Sequence, residues 1–587
     1  MSEAVEEPSL YERVRSKFDF EVTSTPTRAY HGPPGTGKTY QLERDVEREI
    51  ENGVDPFDIG ATSFRRSMAE DLAEALIETL GDETPWVNTT HAIGLKLTAF
   101  DLDADDLTVA GEKERGEFCR MNGIAYHVPE SVADKLDPES PYATVRTAAS
   151  DEQRLLFGNW LMDTLGTIKK LGIGYDEWEA ATTIPPRDLV GKFPKAFVAA
   201  SPSDVIETFR TIDRKWDAYK RGYGLIDFED MLLYPLDRGL APPIEVLLED
   251  EFQDKTPLTI SLHNLWAERA KRVYVAGDPY QAIYGYMGTK ARFMNQALDR
   301  ADETKVLTTS HRNSTEITEG GGEILRAGGY DPPHVVGTGE GGIYHVGSDH
   351  EYEVSVANNE DRSTFHLVRT NYLAREAASA LIEAGIPFRG NRATARWTDK
   401  QADFYNAVVK FQGTIRDLTF GEPADLSALS IPEMDRFVAA VDGRHWNVTK
   451  GTFEGFAGTD LTLGDVIDVR AVAPVAERAN PMEELEEGGI FIKSLFGDEI
   501  NRRLKVTWDN RGPRLIENFD HRIMTIHASK GLEAEVVYLH TGTSVAAQEE
   551  DLMNDPEEAR VWYVAATRTL NDLVIVESDG RSQELPI

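Results

Sequence analysis

Eight residues, Gly32-Pro-Pro-Gly-Thr-Gly-Lys-Thr39, constrain this chain more than any other segment. They fit G-x-x-x-x-G-K-[ST], a loop whose glycines let backbone N–H groups wrap phosphate oxygens. Gly32, Gly35, Thr36 and Gly37 form the cradle, Lys38 neutralises the β- and γ-phosphates, and the Thr39 hydroxyl sits where Mg²⁺ needs a ligand. The flanks agree. Thr27 to His31 reads as a short strand, and Tyr40 to Asn52 as a helix with Leu42, Val46 and Ile50 on one face. The N-terminus of that helix adds its dipole to anion binding. The loop alone specifies a nucleoside triphosphate site and says nothing of what the site drives.

Such a site needs a strand that ends in an acid to hold the metal. Ile244 to Leu248 followed by Asp250-Glu251 supplies one, with Asp250 for Mg²⁺ and Glu251 to activate the attacking water. An acidic turn after a strand is the competing reading, because the chain carries 101 Asp and Glu against 62 Lys and Arg, a net charge of −39. The continuation Phe252-Gln253-Asp254 makes the string far more specific.

The acidic excess runs along the whole chain, with Glu-Glu pairs near the start, at 483–487, and again at 549–550 and 557–558. One reading is avoidance of polyanions, since affinity for nucleic acid comes from Lys and Arg. The other is adaptation to a very salty cytoplasm, which the even spread favours. A single cysteine, Cys119, excludes a disulfide framework, a four-cysteine zinc site and an iron–sulfur cluster. No apolar run approaches the ~18 residues that span a bilayer, and Met1 to Glu7 lack the basic start of a secretory signal. The expectation is a cytoplasmic, multidomain protein with no membrane partner.

Further motifs then carry a resemblance. Asp250-Glu-Phe-Gln-Asp254 looks like motif II of the UvrD/Rep-type helicases of superfamily 1. Ala61-Thr-Ser-Phe-Arg-Arg66 resembles motif Ia, and Asn88-Thr-Thr-His91 the short motif after it. Leu225 to Leu232 is similar to the segment upstream of motif II, Val275 to Gly285 to motif III, and Ser310-His-Arg312-Asn-Ser to motif IV. Phe365 to Asn371, followed by Ala384-Gly-Ile-Pro387, looks like the next block. Met524 to Glu533 resembles motif V and Trp562 to Arg568 motif VI. The matches keep the family's order from Gly32 to Arg568.

The resemblance implies an α/β fold of two RecA-like P-loop NTPase domains with parallel sheets, a helical insertion in the first and a reduced one in the second. Residues 20–95 and 205–295 would form the ATP-binding domain 1A, and 96–204 the helical insertion 1B, most periodic from Glu152 to Leu171. Residues 296–390 and 515–587 would form domain 2A, and 391–514 a reduced 2B-like insertion. The cofactors implied are ATP and Mg²⁺. Gln253 and Gln281 would sense the γ-phosphate, Arg312 and Arg568 would act as arginine fingers, and Glu533 would hold the ribose. Phe64 and Tyr286 would stack bases, with core packing as the alternative; His91 and His527 would contact the strand, with structural hydrogen bonding as theirs.

Departures from the family pattern bear on specificity. No glutamine precedes Gln41, Tyr40 stands where the family has Arg, and His311 replaces the motif IV Tyr. These weaken the expectation of strict adenine recognition. Met287 replaces an Arg and Thr90 an aromatic, which weakens the expected grip on DNA. The leading expectation is an ATP-dependent 3′→5′ helicase or translocase on single-stranded DNA and single-strand/duplex junctions. An RNA-directed or strand-annealing motor, and a nucleic-acid-stimulated ATPase that remodels complexes without unwinding, remain open. A signalling nucleotide-binding protein would have no use for motifs III, V and VI.

Overall fold

The computed structural model describes residues 7–63, 86–104, 107–128, 157–182, 201–285, 288–371, 373–390, 397, 401–402, 405–406, 409, 498–512, 514–516, 519–542, 556–577 and 583–587. Two compact units divide the chain, the first comprising residues 1–311 and 333–335, the second 312–332 and 336–587.

The first unit is built on a six-stranded sheet. Its strands are β1 (Arg28–His31), β2 (Ile59–Ser63), β3 (Val87–Thr89), β4 (Val246–Glu249), β5 (Arg272–Gly277) and β6 (Glu303–Val306). Their spatial order is β3-β2-β4-β5-β1-β6, and each adjacent pair is parallel. Side chains alternate between the two faces of a strand. Tyr30, Val246, Leu248, Tyr274 and Ala276 enter one core, whereas Ala29, Leu247, Val273 and Val275 enter another. The sheet is therefore covered on both faces, which is why its central strands read as apolar runs rather than alternating ones.

Helix α1 (Lys38–Glu51) covers the first of these faces through Leu42 and Val46, both fully buried. Each contributes about 1.5–3 kcal/mol by leaving water. The helix starts at Lys38, two residues before the sequence-based expectation, because the phosphate loop runs into it without a spacer. The opposite face is covered by a core that includes residues of α3 (Phe157–Leu171), α4 (Pro202–Tyr223) and α5 (Pro257–Ala267); α2 (Thr90–Leu102) also contributes Ile93 and Leu97. Helix α4 is delimited by local chemistry. Ser201 and Asp204 form a capping box, Pro202 takes the first turn, and Gly224 closes the helix at φ 65°. Two buried lysines tie these helices down. Lys169 pairs with Asp213 at 2.7 Å, and Lys220 pairs with Asp227 at 2.7 Å and with Asp230.

The second unit has its own six-stranded sheet. Its strands are β7 (Ile343–Val346), β8 (Thr364–Val368), β9 (Phe388–Arg389), β10 (His521–Thr525), β11 (Ala534–His540) and β12 (Thr569–Val576). The order is β7-β12-β11-β8-β10-β9, again parallel throughout. Val536, Tyr538, Val574 and Val576 join one core with α7 (Asp349–Asn358) and α8 (Ala374–Glu383), which follow α6 (Thr315–Ala327). Phe365, Leu367, Val537, Leu539, Leu573 and Ile575 alternate with them and are also buried. The architecture is α/β with two parallel sheets, that of two RecA-like domains. Among the described residues no helix is long and apolar enough to cross a membrane.

Candidate functional site

The phosphate loop joins β1 to α1. Gly37 caps the helix in the left-handed region at φ 79°, a conformation that costs other residues, and no side-chain hydrogen bond caps the helix. At Gly32 a Cβ would lie 2.2 Å from the Lys38 side chain, which folds back so that its ammonium donates to the Gly32 carbonyl at 2.9 Å. The Thr36 hydroxyl donates to the Pro33 carbonyl at 2.7 Å. Ser310 Oγ donates to the Pro34 carbonyl at 2.9 Å and His311 N to the Gly35 carbonyl at 2.8 Å, so the Ser310-His311 stretch is laid along the loop. Tyr40, one residue past Thr39, is exposed.

Strand β4 neighbours β2 and β5, and its C-terminal end delivers the acids to the same place. The Thr39 hydroxyl donates to Asp250 Oδ2 at 2.9 Å, joining residues 211 apart in sequence. The other Asp250 oxygen accepts the Glu251 backbone N–H at 2.8 Å. Burial, and then the Glu251 charge beside it, push the Asp250 carboxyl above the ordinary carboxylate range, while Lys38 and the Thr39 hydrogen bond oppose the shift. Only two non-glycine residues among those described have positive φ, and Glu251 is one, at 51°. Strain of this kind persists where surrounding structure enforces it, commonly at functional sites.

Both glutamines are buried in the same region. Gln253 donates to the Glu251 carboxylate and accepts the Asp278 N–H at 3.0 Å. Gln281 donates to Asp278 Oδ2 at 3.1 Å, and Asp278 also faces His31 Nε2 at 3.4 Å. Burial works against the Asp278 charge, but the nearby His31 ring, with Lys38 and the Gln281 hydrogen bond, outweighs it and lowers this carboxyl. The first unit thus brings together Lys38, Thr39, Asp250, Glu251, Gln253 and Gln281.

The second unit holds the remaining polar candidates. Arg312 and Glu533 form an ion pair with each other. Arg568 is buried, its Nε donating to the Val564 carbonyl at 3.1 Å from the end of α9 (Pro556–Ala566). His527 lies half-buried in the short helix Ile526–Ser529. In the first unit His91 lies in the first turn of α2, and burial of its ring pushes the imidazole down to about 4. Phe64, Tyr286 and Met287 lie outside the described residues.

Two features escaped sequence reasoning. Phe228 is an exposed aromatic whose ring lies 5.5 Å from that of His91. It belongs to the Leu225 to Leu232 segment, and nothing in that segment's spacing marks its ring as exposed. The second is Glu249, fully buried, with Lys255 and His263 around it. A charged residue closing an apolar strand, with a lysine six positions on, was the available signal.

The loop, its helix and the acids at the end of a parallel strand two places away in the same sheet define a P-loop NTPase fold. Residues 27–302 match the UvrD/REP helicase N-terminal domain, and residues 511–579 match the UvrD-like helicase C-terminal domain. Together these cover more than half of the chain, which belongs to the UvrD/Rep-type helicase family. It is similar to the ATP-dependent DNA helicase PcrA of Leuconostoc citreum, at 21% identity covering 93% of this chain and 79% of that protein. It is similar as well to the ATP-dependent DNA helicase Rep of Salmonella typhimurium, at 23% identity covering 94% and 88%. A probable DNA helicase II homologue of Mycoplasma capricolum is 20% identical, covering 93% and 81%.

Proposed function

We propose that this chain is an ATP-driven DNA helicase that hydrolyses ATP on the first sheet and moves 3′→5′ along single-stranded DNA toward single-strand/duplex junctions. The observation that carries the reading is the contact between Thr39 and Asp250, formed at the mouth of a loop whose lysine and backbone amides are set for phosphate. A hydroxyl and a carboxylate side by side suit Mg²⁺, which keeps most of its water and takes few protein ligands. Thr39 and Asp250 would hold the ion there, and it would supply positive charge against the phosphates. Lys38 holds the phosphates, Glu251 takes the proton of the attacking water, and Gln253 and Gln281 orient water and γ-phosphate. Glu533 would hold the ribose, and Arg312 and Arg568 would serve as arginine fingers that stabilise the charge of the transferring phosphoryl group.

The proposed domain map follows the motifs: 20–95 with 205–295 as 1A, 96–204 as 1B, 296–390 with 515–587 as 2A, and 391–514 as a reduced 2B. DNA contacts are proposed at Phe64, His91, Tyr286 and His527, and the exposed Phe228 beside His91 offers a further stacking face. The protein works in the cytoplasm, and its charge adapts it to high salt.

Strand displacement on duplexes with 3′ or 5′ single-stranded tails, alongside ATPase assays with and without single-stranded DNA, tests the reading. DNA-stimulated hydrolysis with displacement from 3′ tails is expected. Stimulation without displacement from either tail would replace the helicase with a remodelling ATPase. Glu251→Gln is expected to bind ATP and stall; full turnover by that variant would sink the assignment of the base.

A further inference from the structure

We propose that Glu249, Lys255 and His263 form a clasp that sets the geometry of Asp250 and Glu251 and so act as positioning residues for ATP hydrolysis, an inference that rests on the roles given to those two acids above. Glu249 ends β4 directly before Asp250, and its side chain is completely buried behind Val246, Leu247 and Leu248. A carboxylate there is costly unless both oxygens are paired. Oε1 accepts from Lys255 Nζ at 2.6 Å and from Thr62 Oγ1 of the neighbouring strand at 3.2 Å. Oε2 takes His263 Nδ1, and the other ring nitrogen of His263 lies 2.7 Å from Ser24 Oγ.

The position of these partners matters more than their number. Lys255 stands six residues after Glu249, so their ion pair closes a loop made of Asp250, Glu251, Phe252, Gln253 and Asp254. Every candidate group of the acid motif is held inside it. His263 comes from α5, the helix that leaves the loop, and its ring meets Phe252 edge-on at 4.8 Å. The clasp therefore joins the strand entering the loop, the residue leaving it and the helix beyond. Within that closed loop Glu251 holds its left-handed backbone, which an unconstrained glutamate would relax by rotating about φ and so carrying its carboxylate away. Asp250 stays against Thr39 for the same reason. The hydrogen-bond partners of Glu249 are Thr62, Lys255 and His263, none of them a residue of the phosphate loop, so the loss of the ion pair should disturb turnover more than nucleotide binding.

The test uses the full chain with Lys255→Met and with the double variant Glu249→Gln/Lys255→Met, which removes both charges at nearly constant volume. Circular dichroism reports folding, a fluorescent ATP analogue with Mg²⁺ reports binding, and steady-state assays separate kcat from KM. Both variants are expected to lose about 10–100-fold in kcat, the usual effect of removing a group that orients a metal ligand. KM and analogue affinity should stay within roughly threefold. A folded double variant with wild-type kcat overturns the proposal, even if Lys255→Met alone is slow, because the single loss then reflects an orphaned buried charge. Equal losses in binding and turnover overturn it too. If Lys255→Met does not fold, the double variant decides. Glu251→Gln run in parallel separates the two readings: full turnover there refutes the assignment of the base and leaves the clasp result interpretable as a structural effect alone.

Discussion

The two sheets share an architecture but bury opposite kinds of polar chemistry. In the first, the polar centre beneath the acid motif is ionic: Glu249 between Lys255 and His263, with burial opposing its charge and the Lys255 ammonium and the His263 hydrogen bond drawing the carboxyl down to about 2. In the second it is a chain of aromatic hydrogen bonds. His521 Nε2 faces the Glu360 carbonyl at 3.3 Å and so carries the proton; its Nδ1 accepts from His366 Nε2 at 3.1 Å, and His366 Nδ1 accepts from the Tyr352 hydroxyl at 2.6 Å. Tyr538 stacks on His366 with its ring nearly parallel. Burial pushes His521 and His540 down to about 4 and His366 well below its ordinary value. Ionic pairing fixes directions and distances around a site that must bind a charged ligand. A neutral wire satisfies buried groups without placing charge in the sheet.

If the first sheet binds and the second accelerates, removing Arg568 and removing Lys38 should differ in kind. Arg568→Ala is expected to keep ATP affinity and to cut DNA-stimulated hydrolysis by roughly 10³-fold. Lys38→Ala is expected to weaken ATP binding itself by roughly 10–100-fold, the worth of a charged hydrogen bond. Full stimulated ATPase in Arg568→Ala would erase the division.

Acid should separate the sheets as well. His521 and His540 bind protons more readily unfolded, near 6.5, than folded, near 4, so the stability they support is complete above about pH 6.5 and falls as pH drops toward 4. The loss between pH 7 and 5 is about 2 kcal/mol for each. Glu249 has its window lower, between its unfolded value near 4.5 and about 2, while the raised Asp250 has the opposite sign and gains on acidification. Hydrogen-exchange protection, measured relative to the intrinsic exchange rate at each pH, should therefore fall in β10 and β11 at pH 5 before it does in β4 and β5. The reverse order would contradict the contrast.

His366→Phe sharpens the same point more gently. It keeps the ring but leaves the Tyr352 hydroxyl and His521 Nδ1 without their partner, at a cost of about 1–3 kcal/mol for each group. Chemical denaturation should show the loss, with ATP affinity unchanged. The smallest effect is expected at Phe228, where replacement by Ala should weaken single-stranded DNA binding by about 1–3 kcal/mol if one base stacks there. Unchanged affinity would remove Phe228 from the DNA path.

Some of this was legible in the residues alone. The phosphate loop is encoded within eight positions because it depends on local backbone freedom and one lysine, and the parallel sheets show as apolar strands because both faces are covered. The ends of elements were less legible: α1 begins at Lys38 and β4 ends on Glu249, since tertiary packing and not propensity draws those limits. The sequence by itself determined the α/β class, the order of the motifs and the family. Only the tertiary structure decided which groups meet. Thr39 finds Asp250 and Glu249 finds Lys255 and His263 because the order β3-β2-β4-β5-β1-β6 brings distant segments to the end of β4. The pairing of buried charges depends on that long-range arrangement, whereas the conformation of a glycine loop does not.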